Sequence, residues 1–375
     1  MPTRKNCVVC AGEDLKVFYT IPNFPIRLGV DDYNEVCSTL DMTWSECQKC
    51  GCSQLIELVE LDKLYEKHHN ASIGGMWERH HEELSRHVSE SITGDGIKIL
   101  EIGGANLLLA NKVCSKSSHS IGYTIVDLAS GQYDVKEHDE RIHLKCLKIS
   151  EYVTDEKFDV VVHSHTLEHF YDPVETLLML REFLKEDGKM IVSIPNVSSQ
   201  VQAGHLNSLH FEHTYYYDDV YLDYMLSRSG FAITEVVPFS KWNNFYICKK
   251  VKIASNLNLV YRNESKRDII SMMTSLREFV EDVKKVEGKV FSFGAHIFSQ
   301  YLFSFGLHEK MQGVLDNDVT KNKQGNTLAG TKIPVFPVSH IENLNAPTVV
   351  LKAAQFYEEI SRQIIDTNNT AKILC

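Results

Sequence analysis

The sequence is short of the features that mark several classes of protein. Acidic residues outnumber basic ones, 50 to 39, for a formal net charge of −11, and no stripe of Lys and Arg stands out. Holding a phosphate backbone needs clustered cations, so nucleic acid is not expected as the main partner. No uninterrupted apolar run approaches the length that spans a bilayer, and no membrane partner is expected. The N-terminus, Met1-Pro-Thr-Arg-Lys-Asn-Cys7, lacks the apolar core of a secretory signal, which makes a reducing cytoplasm the expected setting. Ten cysteines in 375 residues do not suggest a disulfide scaffold. There is no low-complexity tract and no short-period repeat.

What is present is enough apolar residue, 43%, for sizeable cores, in a chain too long for one ordinary core. Residues 1–60 read as a small irregular module. Leu61 to about Ser91 is helical and rich in Glu and His, with His68, His69, His80, His81 and His87 expected on a solvated face and His80 placed near substrate. Buried strands are expected at Ile97–Ile102, Ser120–Val126, Phe158–His163 and Met190–Ile194, separated by helices. The Pro173–Lys185 segment reads as a helix with Pro at its start and Gly188 past its end. Tyr216–Ser229 reads as another helix, ended by Gly230 and followed by a strand. This alternation argues for a doubly wound α/β domain. After a long helical stretch, Ile269–Val286, a second strand-turn-helix opens at Lys289-Val-Phe-Ser-Phe-Gly294. Gly313-Val-Leu-Asp-Asn317 and Thr348–Leu351 supply further strands of a smaller Rossmann-like unit. The expected divisions are 1–60, 61–250 and 251–375.

Cys7-Val-Val-Cys10 and Cys47-Gln-Lys-Cys50 form two chelate pairs. Each Cys-x-x-Cys turn brings two thiolates to one tetrahedral ion, and two turns close its shell. Four thiolates leave no open position for water, so a zinc held by Cys7, Cys10, Cys47 and Cys50 is expected to be structural. Cys37 and Cys52 are nearby spares that could stand in as ligands. A redox pair fits less well, because neither turn opens a helix that would stabilise a thiolate.

In an open parallel sheet, ligands bind at the carboxyl ends of the strands. Here the first strand ends in Glu101-Ile-Gly-Gly-Ala-Asn106, where Gly103 and Ala105 allow close approach to a ligand. The second ends at Asp127-Leu128, where a carboxylate can take both hydroxyls of a ribose. Leu107 stands where many such loops carry another Gly. The third leads into His163-Ser-His-Thr-Leu-Glu-His169; a resemblance to methyl-donor-binding sheets of this order implies Leu167 under adenine and Ser164 and His165 beside the methyl-donor pocket. Gly103-Gly-Ala-Asn-Leu-Leu108 does not match Gly-x-Gly-x-x-Gly, which counts against a nicotinamide enzyme. The order of these segments resembles class I S-adenosylmethionine (SAM) methyltransferases.

After the next strand comes Leu209-His-Phe-Glu-His-Thr-Tyr-Tyr-Tyr217, which packs two imidazoles, a carboxylate and three phenols into one loop. A His beside Glu suits proton abstraction near neutral pH. The plain alternative is an aromatic loop stacked on the core with solvated His and Glu.

With both Cys pairs, the donor loop, Leu167-Glu168-His169 and Phe211-Glu-His213 in order, the chain resembles the three-domain, zinc-containing sugar C-methyltransferases that act on nucleotide-linked deoxysugars. Trp44-Ser-Glu-Cys-Gln-Lys-Cys-Gly-Cys-Ser-Gln-Leu55, Trp77, His80, Gly294-Ala295, Leu315-Asp-Asn-Asp318, Gly325 and Gly330-Thr-Lys-Ile-Pro334 extend the resemblance over almost the whole chain. It implies His213 as general base, Glu212 as its partner and His210 as a second acid/base or substrate contact. Three departures fall on the substrate side. His210 replaces a Tyr, His69-Asn70 stand near Ser72 where a second Tyr belongs, and Ile297-Phe298-Ser299 replace a Lys-Gly.

The resulting expectation is an α/β protein. It would have a class I methyltransferase Rossmann-like parallel sheet, an N-terminal zinc-binding module and a smaller C-terminal Rossmann-like domain. It would transfer methyl from SAM to carbon or oxygen of a nucleotide-linked sugar or related small carbohydrate, as a monomer or homodimer. His80, His169, Asn196 and Tyr215 are expected to touch substrate. A non-catalytic SAM- or nucleotide-sugar-binding protein with a degenerate site is the alternative.

Overall fold

A computed structural model describes residues 2–32, 37–65, 75–104, 106–128, 138–255, 257–352 and 357–375. The N-terminal module is a three-stranded antiparallel sheet of β1 (Leu15–Pro25), β3 (Thr39–Cys47) and β4 (Ser53–Leu55). Between them, the short β2 (Val30–Asp31) pairs with a distant strand of the C-terminal unit, described below. Helices α1 (Leu61–Leu64) and α2 (Gly75–Ser89) lead into the main sheet.

That sheet has seven strands: β5 (Ile97–Ile102), β6 (Ile121–Val126), β7 (Ile142–Lys145), β8 (Phe158–Ser164), β9 (Leu184–Pro195), β10 (Phe231–Ser240) and β11 (Asn243–Lys250). Their order is β10-β11-β9-β8-β5-β6-β7. The five from β9 to β7 run parallel, and β10–β11 is a hairpin added antiparallel at β9. The central strands carry apolar side chains on both faces, which is why Val160, Val161 and Val162 are all buried. Helices α3 (Leu108–Lys116), α4 (Pro173–Phe183), α5 (Val197–Gln202) and α6 (Asp219–Arg228) cover the sheet. The chain steps outward from β5 to β6 and back across to β8, so the switch point lies between β5 and β8, at Glu101–Gly104 and Ser164–Thr166.

The sequence expectations meet three corrections here. Gly188 does not stop α4. Leu184 is already extended and pairs opposite Phe158, and a Cβ at Gly188 would lie 2.7 Å from a Leu184 methyl, so this glycine allows close packing inside β9. Helix α6 starts at Asp219 rather than Tyr216, because the Asp218 carboxylate accepts from the amides of Val220 and Tyr221. Finally, His80, His81 and His87 are buried: α2 lays His80 and His87 on Phe245 and Phe239 of the hairpin, and His81 lies against Trp77 and His80. His68, His69, Asn70 and Ser72 lie outside the described residues.

Helix α7 (Glu264–Lys284) leads to a five-stranded, wholly parallel sheet. Its strands are β12 (Val290–Phe293), β13 (Met311–Leu315), β15 (Val335–Phe336), β16 (Thr348–Val350) and β17 (Lys372–Leu374), in the order β15-β13-β12-β16-β17. Helices α8 (Ile297–Leu302) and α9 (Tyr357–Thr367) complete the Rossmann-like unit, and β14 (Thr327–Leu328) is the strand that pairs with β2. One continuous core runs from the cysteine module through one face of the main sheet into α7 and α8, while a second fills the face under α2 and α3.

A candidate active site between two clamped loops

Two cysteine turns build the first cluster. The Ala11 amide donates to the Cys7 carbonyl and the Gly51 amide to the Cys47 carbonyl, at 2.9 and 2.7 Å, closing each Cys-x-x-Cys turn. All four cysteines are buried, and their sulfurs converge. Cys7 and Cys50 approach to 3.6 Å, as do Cys10 and Cys47. A tetrahedron of thiolates about 2.3 Å from zinc has edges of about 3.8 Å, so the donor set fits such an ion. A Cβ at Gly12 would come within 3.1 Å of Cys47 Sγ, so a bare backbone is required beside the cluster. Cys37 and Cys52 are not in the converging set: their thiols donate to the carbonyls of Ser38 and Tyr216, although Cys52 lies beside Cys7.

The second site lies at the switch point. Gly103 has φ of 83°, and a Cβ there would sit 2.5 Å from Thr166 Oγ1. Gly104 packs its Cα against the Glu101 carboxylate, so neither position tolerates a side chain. The Thr166 hydroxyl shares its one proton between the carbonyls of Ile102 and Ser164, at 3.1 and 3.0 Å, linking the ends of β5 and β8. Glu101 is buried and accepts from Tyr123 Oη at 2.8 Å. Burial, against that hydrogen bond and with Asp127 adding repulsion, pushes its carboxyl up to about 8. Asp127 and Leu128 follow β6, half-buried, beside the same strand ends. Ala105 lies outside the described residues. Leu107 occupies the left-handed region at φ 58°, the conformation glycine would take without strain.

Beyond the donor loop is a cluster of imidazoles. His169 and His213 approach edge to face at 4.8 Å, and His213 and His210 at 4.2 Å. Glu168, His169 and His213 each turn an atom toward a common point. Glu168 Oε2 and His213 Nδ1 are buried without a hydrogen-bond partner among the described residues. Burial, with His169 repulsion and against the pull of Glu168, lowers His213 to about 4, so its ring is neutral at neutral pH. Burial works to raise the Glu168 carboxyl, but the His165 contact and the neighbouring imidazoles hold it down at about 2.

The expected residues are not all where the sequence put them. Glu212 sets a carboxylate oxygen 3.7 Å from His169 Nδ1, whose other neighbour is the Tyr65 hydroxyl at 3.0 Å. The Glu212 pairing thus falls on His169. His210 is buried, and its Nδ1 accepts from the Glu212 amide, which spends it on shaping the loop. Leu167 is wholly buried in the core and cannot lie under adenine. Tyr215 is buried with its hydroxyl donated to the Leu167 carbonyl at 2.8 Å, so it braces the pocket from behind. Asn196 caps α5 by accepting from the Ser199 amide. His80 is buried with Nε2 2.7 Å from Ser193 Oγ, one layer behind His165. Sequence reasoning missed Tyr65, Thr166, Ser193 and Asn243. Thr166 and Ser193 sit in segments already singled out, whereas nothing local marks Asn243.

Both outer units hold the 209–217 loop. The Arg4 guanidinium, buried, donates to Thr214 O, Thr214 Oγ1, Leu55 O and Tyr171 O. The Leu55 amide donates to Thr214 O and the Tyr216 amide to Ser53 O, so residues 214–216 extend the cysteine module's sheet. From the other side, Tyr301 of α8 donates to Leu209 O at 2.6 Å.

Residues 76–236 match the family model of a methyltransferase domain, and residues 256–372 match that of a C-methyltransferase C-terminal domain. The protein is a methyltransferase. No curated protein sequence matches this methyltransferase. Among solved structures it is similar to the mitomycin 7-O-methyltransferase MmcR (14% identity, TM-score 0.37, covering 45% of this chain and 54% of that one). It is also similar to magnesium protoporphyrin IX methyltransferase from Synechocystis PCC 6803, solved with SAH (10%, 0.38, 48% and 90%), and to the CurJ carbon methyltransferase (12%, 0.40, 52% and 59%). The methyltransferase thus spans about half the length of MmcR. Likeness at this level bears on neither substrate nor mechanism. Among the described residues, no helix is long and apolar enough to cross a membrane.

Proposed function

We propose that the methyltransferase methylates a nucleotide-linked sugar, with His213 as the base. The observation that carries the reading is His213 Nδ1, on a ring held neutral, and Glu168 Oε2 nearby, both buried without a partner among the described residues. Two buried polar atoms without a partner are costly unless a ligand completes them. A sugar hydroxyl, or the acidic C–H beside a sugar carbonyl, offers the proton that Nδ1 lacks. His169, held by Tyr65 and Glu212, would contact the same sugar. SAM supplies an electrophilic methyl group when bound. The residues that would hold it are Gly103 and Gly104, which permit close approach, Asp127 for the ribose hydroxyls, and Ser164 and His165 at the end of β8. The match of residues 256–372 to a C-methyltransferase C-terminal domain favours carbon over oxygen as the methylated atom. Zinc at Cys7, Cys10, Cys47 and Cys50 would be structural.

The test is incubation with SAM and a panel of nucleoside-diphosphate hexoses and keto-deoxyhexoses, read by product mass and NMR. A C-methylated nucleotide sugar supports the reading in full. Methyl transfer only to acceptors without a nucleotide would overturn the substrate class, and binding of SAM with no transfer to the panel would do the same.

A further inference from the structure

The geometry points to Asn243 as a positioning residue that holds His165 in its Nδ1–H tautomer against Glu168. The inference rests on reading the imidazole pocket as the acceptor site. It begins with proton counting along a chain of buried groups. Ser193 on β9 is fully buried, and its hydroxyl donates to Asn243 Oδ1 at 3.2 Å. That hydroxyl has one proton. His80 Nε2, 2.7 Å from the same oxygen, must therefore be the donor in its contact, leaving His80 Nδ1 bare. His80 Nδ1 is indeed buried with no partner among the described residues.

With its oxygen toward Ser193, Asn243 turns its amide nitrogen to His165 Nε2 at 2.5 Å. An amide nitrogen only donates, so Nε2 accepts and carries no proton in the neutral ring. The ring proton then sits on Nδ1, which faces Glu168 Oε1 at 3.4 Å. The opposite amide orientation would put the proton on Nε2 and set a bare Nδ1 against a carboxylate. Ionised Glu168 thus selects one direction for the whole chain.

The backbone is arranged to match. His165 sits in the left-handed region at φ 49°, and its amide donates to the carbonyl of Ser193 at 2.8 Å. Strain of this kind persists only where the surroundings over-determine it. Trp77 closes the other edge of the ring at 4.8 Å. The titratable groups around His165 and Glu168 are His80 and His81 on α2, His163 on β8, His169 on the following turn, His213 on the 209–217 loop, and the buried phenols of Tyr65, Tyr215 and Tyr217. A neutral donor on Oε1 leaves Glu168 Oε2 turned to the pocket it shares with His169 and His213. Asn243, on the antiparallel hairpin, thereby sets the proton that Glu168 meets.

The test is long-range proton–nitrogen NMR on full-length protein labelled with 15N-histidine, with His165→Gln to assign the ring. A free neutral imidazole favours the Nε2–H form, so a His165 protonated at Nδ1 and bare at Nε2 is a specific result. In Asn243→Asp the carboxylate keeps the acceptor for Ser193 but demands a proton on Nε2, and both His165 nitrogens should be protonated. Transfer to the nucleotide sugar most active in the panel should fall about tenfold to a hundredfold, as misplacement in a site does. The low-pH limb of its rate should move to higher pH. Should Asn243→Asp fail to fold, Ser193→Ala, which releases the amide, should restore the Nε2–H form in part. A wild-type His165 protonated at Nε2 would overturn the inference, as would an Asn243→Asp enzyme with unaltered rate and pH profile. If the panel shows no methyl transfer at all, the site reading fails, while the tautomer measurement still decides this inference.

Discussion

The chain gathers two sets of chemically potent side chains, and they differ in what they leave unfinished. The cysteine cluster is closed: four sulfurs converge in the buried heart of a small module, two pairs of them 3.6 Å apart. The imidazole cluster is unfinished: Glu168 Oε2 and His213 Nδ1 find no partner among the described residues, and His165 beside them holds a strained backbone. A closed set can hold a fold together but has no position left for a reactant. An open set costs stability and is kept where something else must bind. The two are mechanically joined, because residues 214–216 add to the sheet that the cysteine module builds and Arg4 straps both. The closed cluster therefore shapes the open one without touching it.

The sharpest way to break this comparison is to open the closed set. Cys47→Ser should remove a metal ligand and cost the module most of its stability, since structural zinc contributes on the order of 10 kcal/mol in small domains. Turnover should fall before SAM affinity does, because the module clamps the acceptor loop and not Gly103 or Asp127. Elemental analysis, a thermal melt and SAM calorimetry on the same preparation check it. Well-folded protein without zinc would end the structural-metal account.

The next effect concerns what the main sheet pays to keep imidazoles dry. His163 is fully buried with neither ring nitrogen partnered among the described residues, and burial lowers it to about 4. The unfolded chain takes up that proton near pH 6.5, so His163 withdraws stability as pH falls from 6.5 through about 4, by up to about 3 kcal/mol. His163→Phe should shift the acid-unfolding midpoint to lower pH while leaving urea stability at pH 8 little changed. An unmoved midpoint would mean that acid sensitivity arises elsewhere.

The smallest effect belongs to the donor side. Asp127→Ala leaves ribose hydroxyls without an acceptor and should weaken SAM by about 1–3 kcal/mol. Calorimetry showing unchanged SAM affinity would place the ribose on another residue.

How much of this could be read in the sequence depended on whether the signal was local. The strand Ile97–Ile102 is found where its apolar run puts it, because a buried parallel strand writes its whole pattern into consecutive residues. The Cys-x-x-Cys turns are local for the same reason, and their sulfurs do converge. The start of α6 was misplaced because Tyr216 pairs with Ser53, a contact across the chain that no window of residues contains. His80 and His87 read as solvated in the sequence because the rings that bury them, Phe239 and Phe245, arrive from a hairpin whose second strand carries no local signal. Asn243 was invisible for that reason too. Tyr215 and Leu167 were assigned to ligands, yet they meet each other instead, hydroxyl to carbonyl, which only the folded loop reveals.

The measurement that bears most directly on the open pocket is the rate of His213→Ala set against its SAM affinity, followed from neutral pH to acid. Removing a general base should cost about a hundredfold to ten-thousandfold in transfer to the nucleotide sugar, with SAM binding intact. Because burial holds His213 near 4, the wild-type rate should stay flat around neutrality and fall only as pH drops toward that value, and the variant should lose this limb. A variant that transfers methyl at the wild-type rate, or one whose SAM affinity collapses along with its rate, would contradict the division between a donor side built on glycines and an acceptor side built on an unsatisfied imidazole.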